Sequence, residues 1–289
     1  MRNHYVPQFL QRPWTGTDRK LQVFRRKVGR VEPSRQAPKG NGYMEDMLAL
    51  TEDRVAGMDR HDIERVVLQS VDNDASKIRD KLVAGRINSL SGEERESWVR
   101  FLITLRLRQP NVVSFIREEA QTSLKENLAN APENYMSLVI QGVLPPAEKL
   151  VEMAVPGLIA NYGLRLFPGL IDYKDVNVKL LSLNWQVYDF IGSKNSLLLS
   201  DNPCITTSGI EHPDLAVILP ISPFKAFIAT RGRLTADAVS GVDMRDLIAH
   251  VNELSLKQAN DRVFALDESP KRFIENRWLL ERPDNLNPP

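Results

Sequence analysis

The sequence predicts an α+β fold, a helical middle region packed on a mostly antiparallel C-terminal sheet. Two observations carry this reading. From about residue 43 to 170 the apolar residues recur at helical spacing. From about 176 to 266 they fall into short apolar runs between turn residues, as buried strands do. No repeat of fixed period interrupts the pattern. With 289 residues the chain is long enough to bury a large core. We therefore expect one domain over residues 1–282, with a disordered Pro-rich tail at 283–289.

The elements follow in order. The opening string His4-Tyr5-Val6-Pro7-Gln8-Phe9-Leu10, with Arg12 and Trp14, is too rich in aromatic residues for a waving chain end and predicts a docked terminus. Leu21-Gln22-Val23-Phe24 is a short strand after a Gly16-Thr17-Asp18 turn. Residues 29–42, with Gly29, Pro33, Pro38, Gly40 and Gly42, read as a loop. Met44, Met47, Leu48, Val55 and Met58 share a helical face. A second helix carries Ile63, Val66, Val67, Ile78 and Leu82 and closes at Gly85. Ser91 and Glu94 form a capping box. It opens a helix through Trp98, Phe101, Leu102, Leu105, Val112, Val113 and Ile116, with Pro110 as a kink. Residues 133–167 are helical, broken at Pro145-Pro146 and Pro156-Gly157. Val176 to Tyr188 suggests one or two strands. Leu197–Leu199, Leu215–Leu219 and Phe224–Ala229 are buried strands. A helix over Met244–Asn260 precedes the strand Val263–Leu266.

Composition narrows the function classes. Hydrophobic residues make up 42% and charged residues 26%, ordinary values for a soluble protein. No run reaches the roughly 20 apolar residues needed to cross a bilayer, and the first residues lack a signal peptide's apolar segment. A cytoplasmic protein without a membrane partner is expected. The single Cys204 leaves no disulfide framework and no Cys-rich zinc site. Net charge is +1, but residues 1–40 hold ten basic and two acidic groups against 28 basic and 35 acidic in the remainder. Such a basic arm either meets phosphates or answers the chain's own acidic surface.

Several residues can carry chemistry. At 3.6 residues per turn, Glu45 and Glu52 fall at about 100° and 80° from Met44, on one edge of the expected core stripe. Paired carboxylates there can hold a divalent cation or act as acid and base; a solvated edge answered by arginines is the plainer alternative. Arg106 and Arg108 flank the stripe of the next helix, at about 80° and 280° from Trp98. Either can clamp a carboxylate or phosphate. Gln109 lies inside the stripe and needs partners if buried. Ser200-Asp201-Asn202-Pro203 ends an apolar run, a place for a site but also good turn chemistry. Cys204 reads as packing, for no base is visible beside it. His4, His61, His212 and His250 form no zinc spacing. No glycine-rich phosphate loop, dinucleotide fingerprint or serine elbow is written.

Taken in order, these strings resemble a known family. The opening His4–Trp14 string, the Glu45 and Glu52 pair, Leu105-Arg106-Leu107-Arg108-Gln109-Pro110 and Ser200–Pro203 are followed by Leu219-Pro220-Ile221-Ser222-Pro223 and Val251-Asn252 before Val263-Phe264. The set is similar to the family called domain of unknown function 4238, over roughly residues 4–266. The usual Tyr-Leu-x-x-Phe continuation is here Phe9-Leu10-Gln11-Arg12-Pro13-Trp14. The resemblance implies a shared fold and leaves the chemistry open.

The leading functional expectation is a metal-dependent phosphodiesterase or nuclease, with nucleic acid or a phosphorylated ligand as partner. His4, Glu45, Glu52 and Asp201 would be catalytic, with Glu45, Glu52 and Asp201 holding Mg2+ or Mn2+. Tyr5, Gln8, Arg106, Arg108 and Asn202 would bind substrate. No Glu-x-Lys follows Asp201, so a restriction-nuclease core is not written; Lys225 is the nearest lysine. The alternative is a non-catalytic binding or regulatory protein whose polar network is structural. A small-molecule hydrolase using the same pocket is the third class. The sequence is silent on oligomeric state.

Overall fold

A computed structural model describes residues 1–52, 54–232, 237 and 239–278; the expected tail at 283–289 lies outside them. The chain runs β1 (Arg2–His4), α1 (Gln8–Gln11), a 3₁₀ turn (Arg12–Trp14), β2 (Leu21–Lys27), β3 (Arg30–Gln36), β4 (Tyr43–Glu45), β5 (Arg54–Val55) and β6 (Met58–Asp59). A π-turn (Ile63–Leu68) leads into α2 (Gln69–Val83), then α3 (Gly92–Leu107), α4 (Pro110–Ala129), α5 (Glu133–Ile140), α6 (Ala147–Ala154), α7 (Leu158–Arg165), α8 (Phe167–Ile171) and α9 (Lys174–Leu181). Last come β7 (Asn184–Asp189), β8 (Leu199–Ser200), β9 (Ile205–Thr206), β10 (Ala216–Ser222), β11 (Lys225–Thr230), α10 (Met244–Gln258), β12 (Arg262–Ala265) and α11 (Lys271–Trp278). This is an α+β protein with a helical middle and antiparallel sheets. Its contacts group it into two compact units, one of residues 1–3, 44–70 and 107–172, the other of 4–43, 71–106 and 173–289.

In the first unit α4 packs on α7, and Gly163 makes that approach possible. A Cβ there would sit 2.6 Å from the Ile116 carbonyl and 2.8 Å from the Arg117 Cα. The helix expected from Met44 to Met58 is absent. Asp46, Ala56 and Gly57 take positive φ (52°, 48° and 86°), which an α-helix cannot accommodate. Ala56 and Gly57 turn β5 back onto β6 instead, both in the left-handed region that a tight hairpin demands. The segment's polar backbone is met by side chains from helices. The Arg117 Nη2 donates to the carbonyls of Met47 and Ala49, each at 2.9 Å. The Arg165 Nη1 donates to those of Val55 and Ala56 at 3.0 and 2.9 Å. The Asn161 Oδ1 accepts from the Thr51 amide at 2.9 Å. Tertiary partners thus replace the helical hydrogen bonds that periodicity alone suggested.

The second unit holds two antiparallel sheets, β7-β11-β10-β9 and β3-β2-β12-β8. Beside the first pack Leu247, Ile248 and Val251 of α10; against the second lie Leu256 of α10 and Ile274 and Trp278 of α11. The stretch expected as a loop is partly strand, since β3 pairs with β2 along its length around a turn with Gly29 at φ 71°. Pro33 is tolerated because β3 lies at the sheet edge. Residues 174–181 form α9 rather than a strand; the inward positions Val176 and Leu180 are four apart. Pro110 does not kink a helix but starts α4 at its first turn. The capping box is made: the Ser91 Oγ accepts from the Glu94 amide at 3.2 Å, and Glu94 accepts from the Ser91 amide at 3.0 Å. Helix α11 was not expected, its sequence being strongly polar.

The terminus from His4 onward is docked in this unit. Val6, Leu10 and Trp14 are fully buried. The Trp14 indole N–H donates to the Leu197 carbonyl at 2.8 Å, and Phe9 meets Phe101 with ring centroids 5.3 Å apart. Among the described residues no helix is long and apolar enough to cross a membrane.

Candidate functional site

The Ser200-Asp201-Asn202-Pro203 string leaves β8 and turns beside the start of β12. Asp201 is wholly buried, and its carboxylate accepts three consecutive backbone amides, from Asn260 at 2.7 Å, Asp261 at 2.9 Å and Arg262 at 3.1 Å. Its own amide donates to the Arg262 carbonyl at 3.0 Å. Burial pushes the carboxyl up to about 7, with the neighbouring Asp261 adding to the rise and the amides opposing it. The Gln258 Nε2 closes the other side, donating to the carbonyls of Asn202 and Cys204 at 2.9 and 2.7 Å. Asn252 of α10 clamps the preceding strand, accepting from the Leu198 amide at 2.7 Å and donating to the Ser196 carbonyl at 3.0 Å.

This clasp sets the direction of the next two side chains. The Asp261 carboxylate receives the Arg25 Nε at 2.8 Å on one oxygen and lies 3.2 Å from the Arg262 Nε through the other. Arg25 and Arg262 stand opposite each other across the β2–β12 ladder. Like charges so placed repel, and Asp261 between them offsets the repulsion. They line a surface cavity of about 620 Å3 with Val23, Glu32, Ser34, Gln36 and Gly40. Tyr5, from the docked terminus, belongs to the same neighbourhood. Burial pushes its phenol up to about 12; the Asp201 charge adds to this, and Arg262 opposes it. A face with two oriented guanidinium groups, a hydroxyl and an amide, its carboxylate Glu32 taken up by Arg30 at 2.5 Å, suits an oxyanion.

The other residues singled out from the sequence fall as follows. His4 is half-buried, 3.4 Å from the Gln8 Nε2, with its ring 5.6 Å from that of Tyr43. Asn202 lends its carbonyl to the turn, accepting from the Ser200 hydroxyl at 2.6 Å. Arg106 is exposed, whereas Arg108 and Gln109 are buried. Glu45 sits on β4, not on a helix, and is exposed; its Oε1 meets the Arg2 Nε at 3.2 Å and its Oε2 the terminal ammonium at 3.6 Å. Glu52 is exposed in a bend. Glu45, Glu52 and Arg108 belong to the first unit; His4, Tyr5, Gln8, Arg106, Asp201 and Asn202 belong to the second. Within the second unit the structure brings Tyr5 near Asp201 and His4 beside Gln8. Among the described residues no group of three or more His, Cys, Asp or Glu side chains is disposed to hold a metal ion. Within its own unit the Asp201 carboxylate is taken up by backbone amides, Glu45 pairs with Arg2 and the terminal ammonium, and Glu52 is exposed. Cys204 is buried, which pushes its thiol up to about 11 and keeps it from being a thiolate.

Arg25, Asp261 and Arg262 were missed in the sequence. Arg25 is one of many basic residues in the arm, and Asp261 becomes visible only once β12 is laid beside β2. Part of the arm's charge is answered at home: Arg35 meets Asp18 and Arg30 meets Glu32, both at 2.5 Å, while Arg26 lies 5.8 Å from the Trp278 ring centroid.

A family model described as protein of unknown function, DUF4238, matches residues 2–269. No curated protein and no solved structure matches the chain.

Proposed function

The chain belongs to the DUF4238 family of proteins of unknown function, and from that premise we propose that it is a binding protein for a phosphate-bearing ligand. One observation carries this reading: Asp261 holds Arg25 and Arg262 side by side over the cavity, and Asp201 in turn fixes the backbone of Asp261 and Arg262. Guanidinium groups oriented before the ligand arrives lose less freedom on binding. In this reading Arg25 and Arg262 contact the phosphate, Ser34 and Gln36 add polar contacts, and Asp201 is a positioning residue.

The test is a titration of the full chain with a mononucleotide and with a labelled single-stranded oligonucleotide. The Arg25→Gln/Arg262→Gln double variant is expected to bind at least about tenfold more weakly, as losing one charge-assisted contact alone would cost about 1.5–3 kcal/mol. Its melting temperature should fall by no more than a few degrees, because Arg25 is exposed and Arg262 keeps 24% of its side chain in solvent. Failure of both probes to bind the wild type, or equal binding by the variant, refutes the reading.

A metal-dependent phosphodiesterase or nuclease using Mg2+ or Mn2+ is the second reading, supported by the excess of basic residues in the first forty. The donor pattern fits it poorly: the Asp201 carboxylate already accepts three amides, and Glu45 pairs with Arg2 and the terminal ammonium. Cleavage of DNA or RNA by the wild type with either metal, lost in Glu45→Ala and Asp201→Asn, would favour it over binding alone.

A further inference from the structure

A second cavity of about 530 Å3, in the same unit, has no part in the site above. Its lining includes three cations from three elements: Arg12 from the 3₁₀ turn, Arg79 from α2 and Lys225 from the start of β11. Its apolar wall includes Val83, Ile191, Phe224 and Leu266. The scaffold around it is firmly set. The buried Trp14, bonded to the Leu197 carbonyl, fixes the turn that carries Arg12. The Leu197 amide in turn donates to the Pro223 carbonyl, and the Phe190 amide to that of Phe224, both at 2.8 Å. These bonds hold the β10–β11 turn that forms one rim.

The charges in this cavity are not balanced among themselves. Lys225 pairs with Asp189 at 2.5 Å, and Arg79 reaches Asp80 at 2.7 Å. Arg12 has no carboxylate partner among the described residues, and its charge acts repulsively on Arg79. Arg79 has only 16% of its side chain exposed, and its Nε is buried with no hydrogen-bond partner among the described residues. A desolvated guanidinium N–H left unpaired beside a second guanidinium is an unfavourable arrangement. An oxyanion between the two would relieve the repulsion.

We propose that the Arg12–Arg79–Lys225 cavity binds a small phosphomonoester carrying an apolar or aromatic group. Two guanidinium forks from different elements offer more donors than the two oxygens of one carboxylate can accept. A phosphomonoester presents three oxygens and nearly two charges at neutral pH. Phe224, Ile191 and Leu266 supply a dry wall for the group it carries. Arg12 belongs to the aromatic-rich opening string, whose docking brings it to this cavity.

Calorimetric titration of the full chain with phenyl phosphate tests this, in the Arg25→Gln/Arg262→Gln background that disables the site on β2 and β12, with inorganic phosphate, benzoate and added Arg12→Gln or Arg79→Gln as comparisons. Phenyl phosphate is expected to bind in that background, and to bind at least about tenfold more weakly once Arg12→Gln or Arg79→Gln is added. Arg12 is exposed, so its variant keeps the test valid if Arg79→Gln fails to fold. Inorganic phosphate should bind more weakly for lack of the apolar group, and benzoate more weakly for lack of oxygens. No binding of phenyl phosphate in that background, or binding unaffected by Arg12→Gln, would overturn the proposal. Equal affinity for benzoate or for inorganic phosphate would overturn the assigned ligand class. Because Arg25 and Arg262 are already removed, failure here is distinct from failure of the site on β2 and β12.

Discussion

Asp201 shows how a single side chain serves as glue and as an aiming device. Removing it in Asp201→Ala would strand three buried amides, at about 1–3 kcal/mol each where water cannot replace the carboxylate. With about 2–4 °C of melting temperature per kcal/mol for a chain approaching this size, calorimetry should record a drop on the order of 10 °C. The same residue has a pH signature. Its folded pKa, about 7, lies above its ordinary 3.8, so the native state holds a proton that the unfolded chain releases between those values. Its favourable contribution is therefore complete below about pH 4 and is lost as pH rises through 7. Melting curves between pH 4 and 8 should fall more steeply for the wild type than for Asp201→Asn; parallel curves would refute this. The Ser-Asp-Asn-Pro turn was legible because Asp and Asn prefer such turns. Its three amide donors were not, because they arrive from a segment some sixty residues further on.

At the scale of elements, the capping box, the docked terminus, the breaks at Pro145-Pro146 and Pro156-Gly157, and most C-terminal strands were readable from local signals. The errors share one cause. Met44 to Met58 has helical periodicity, yet Arg117, Arg165 and Asn161 take up its backbone groups. In Arg117→Met the Met47 and Ala49 carbonyls lose their charged donor. Faster hydrogen exchange over residues 46–60 is expected, with a loss of about 1–3 kcal/mol in stability. Unchanged exchange there would mean that the arginine does not hold the segment. At α3, Ser91→Ala should cost about 1 kcal/mol through the lost cap, read as a lower denaturant midpoint at constant slope. The edge strand β3 and helix α9 were misread because Pro33 and a Val-rich octet carry weak local signals, which sheet pairing and burial override.

Across the whole molecule, opposite charges are matched over long sequence distances. Arg35 holds the Asp18 carboxyl below its ordinary range, Lys81 does so for Glu94, Lys225 for Asp189 and Lys179 for Glu211. Depressed carboxylates contribute above their ordinary pKa, and that contribution is lost as pH falls through the folded value. Unfolding on acidification should therefore steepen below about pH 4. Salt should weaken the exposed pairs, so added 0.5 M NaCl should shrink this acid-side slope while leaving the Asp201 effect, which is buried, nearly intact. The amino-acid order alone was sufficient for the α+β class, the family and the ordered terminus, since these follow from periodicity, turn chemistry and strings of neighbours. The pairing of Arg25 with Arg262 through Asp261 and the convergence of Arg12, Arg79 and Lys225 came only with the tertiary structure. Such sites are made of residues far apart in the chain, and their geometry is set by strand register and burial, which no local pattern encodes.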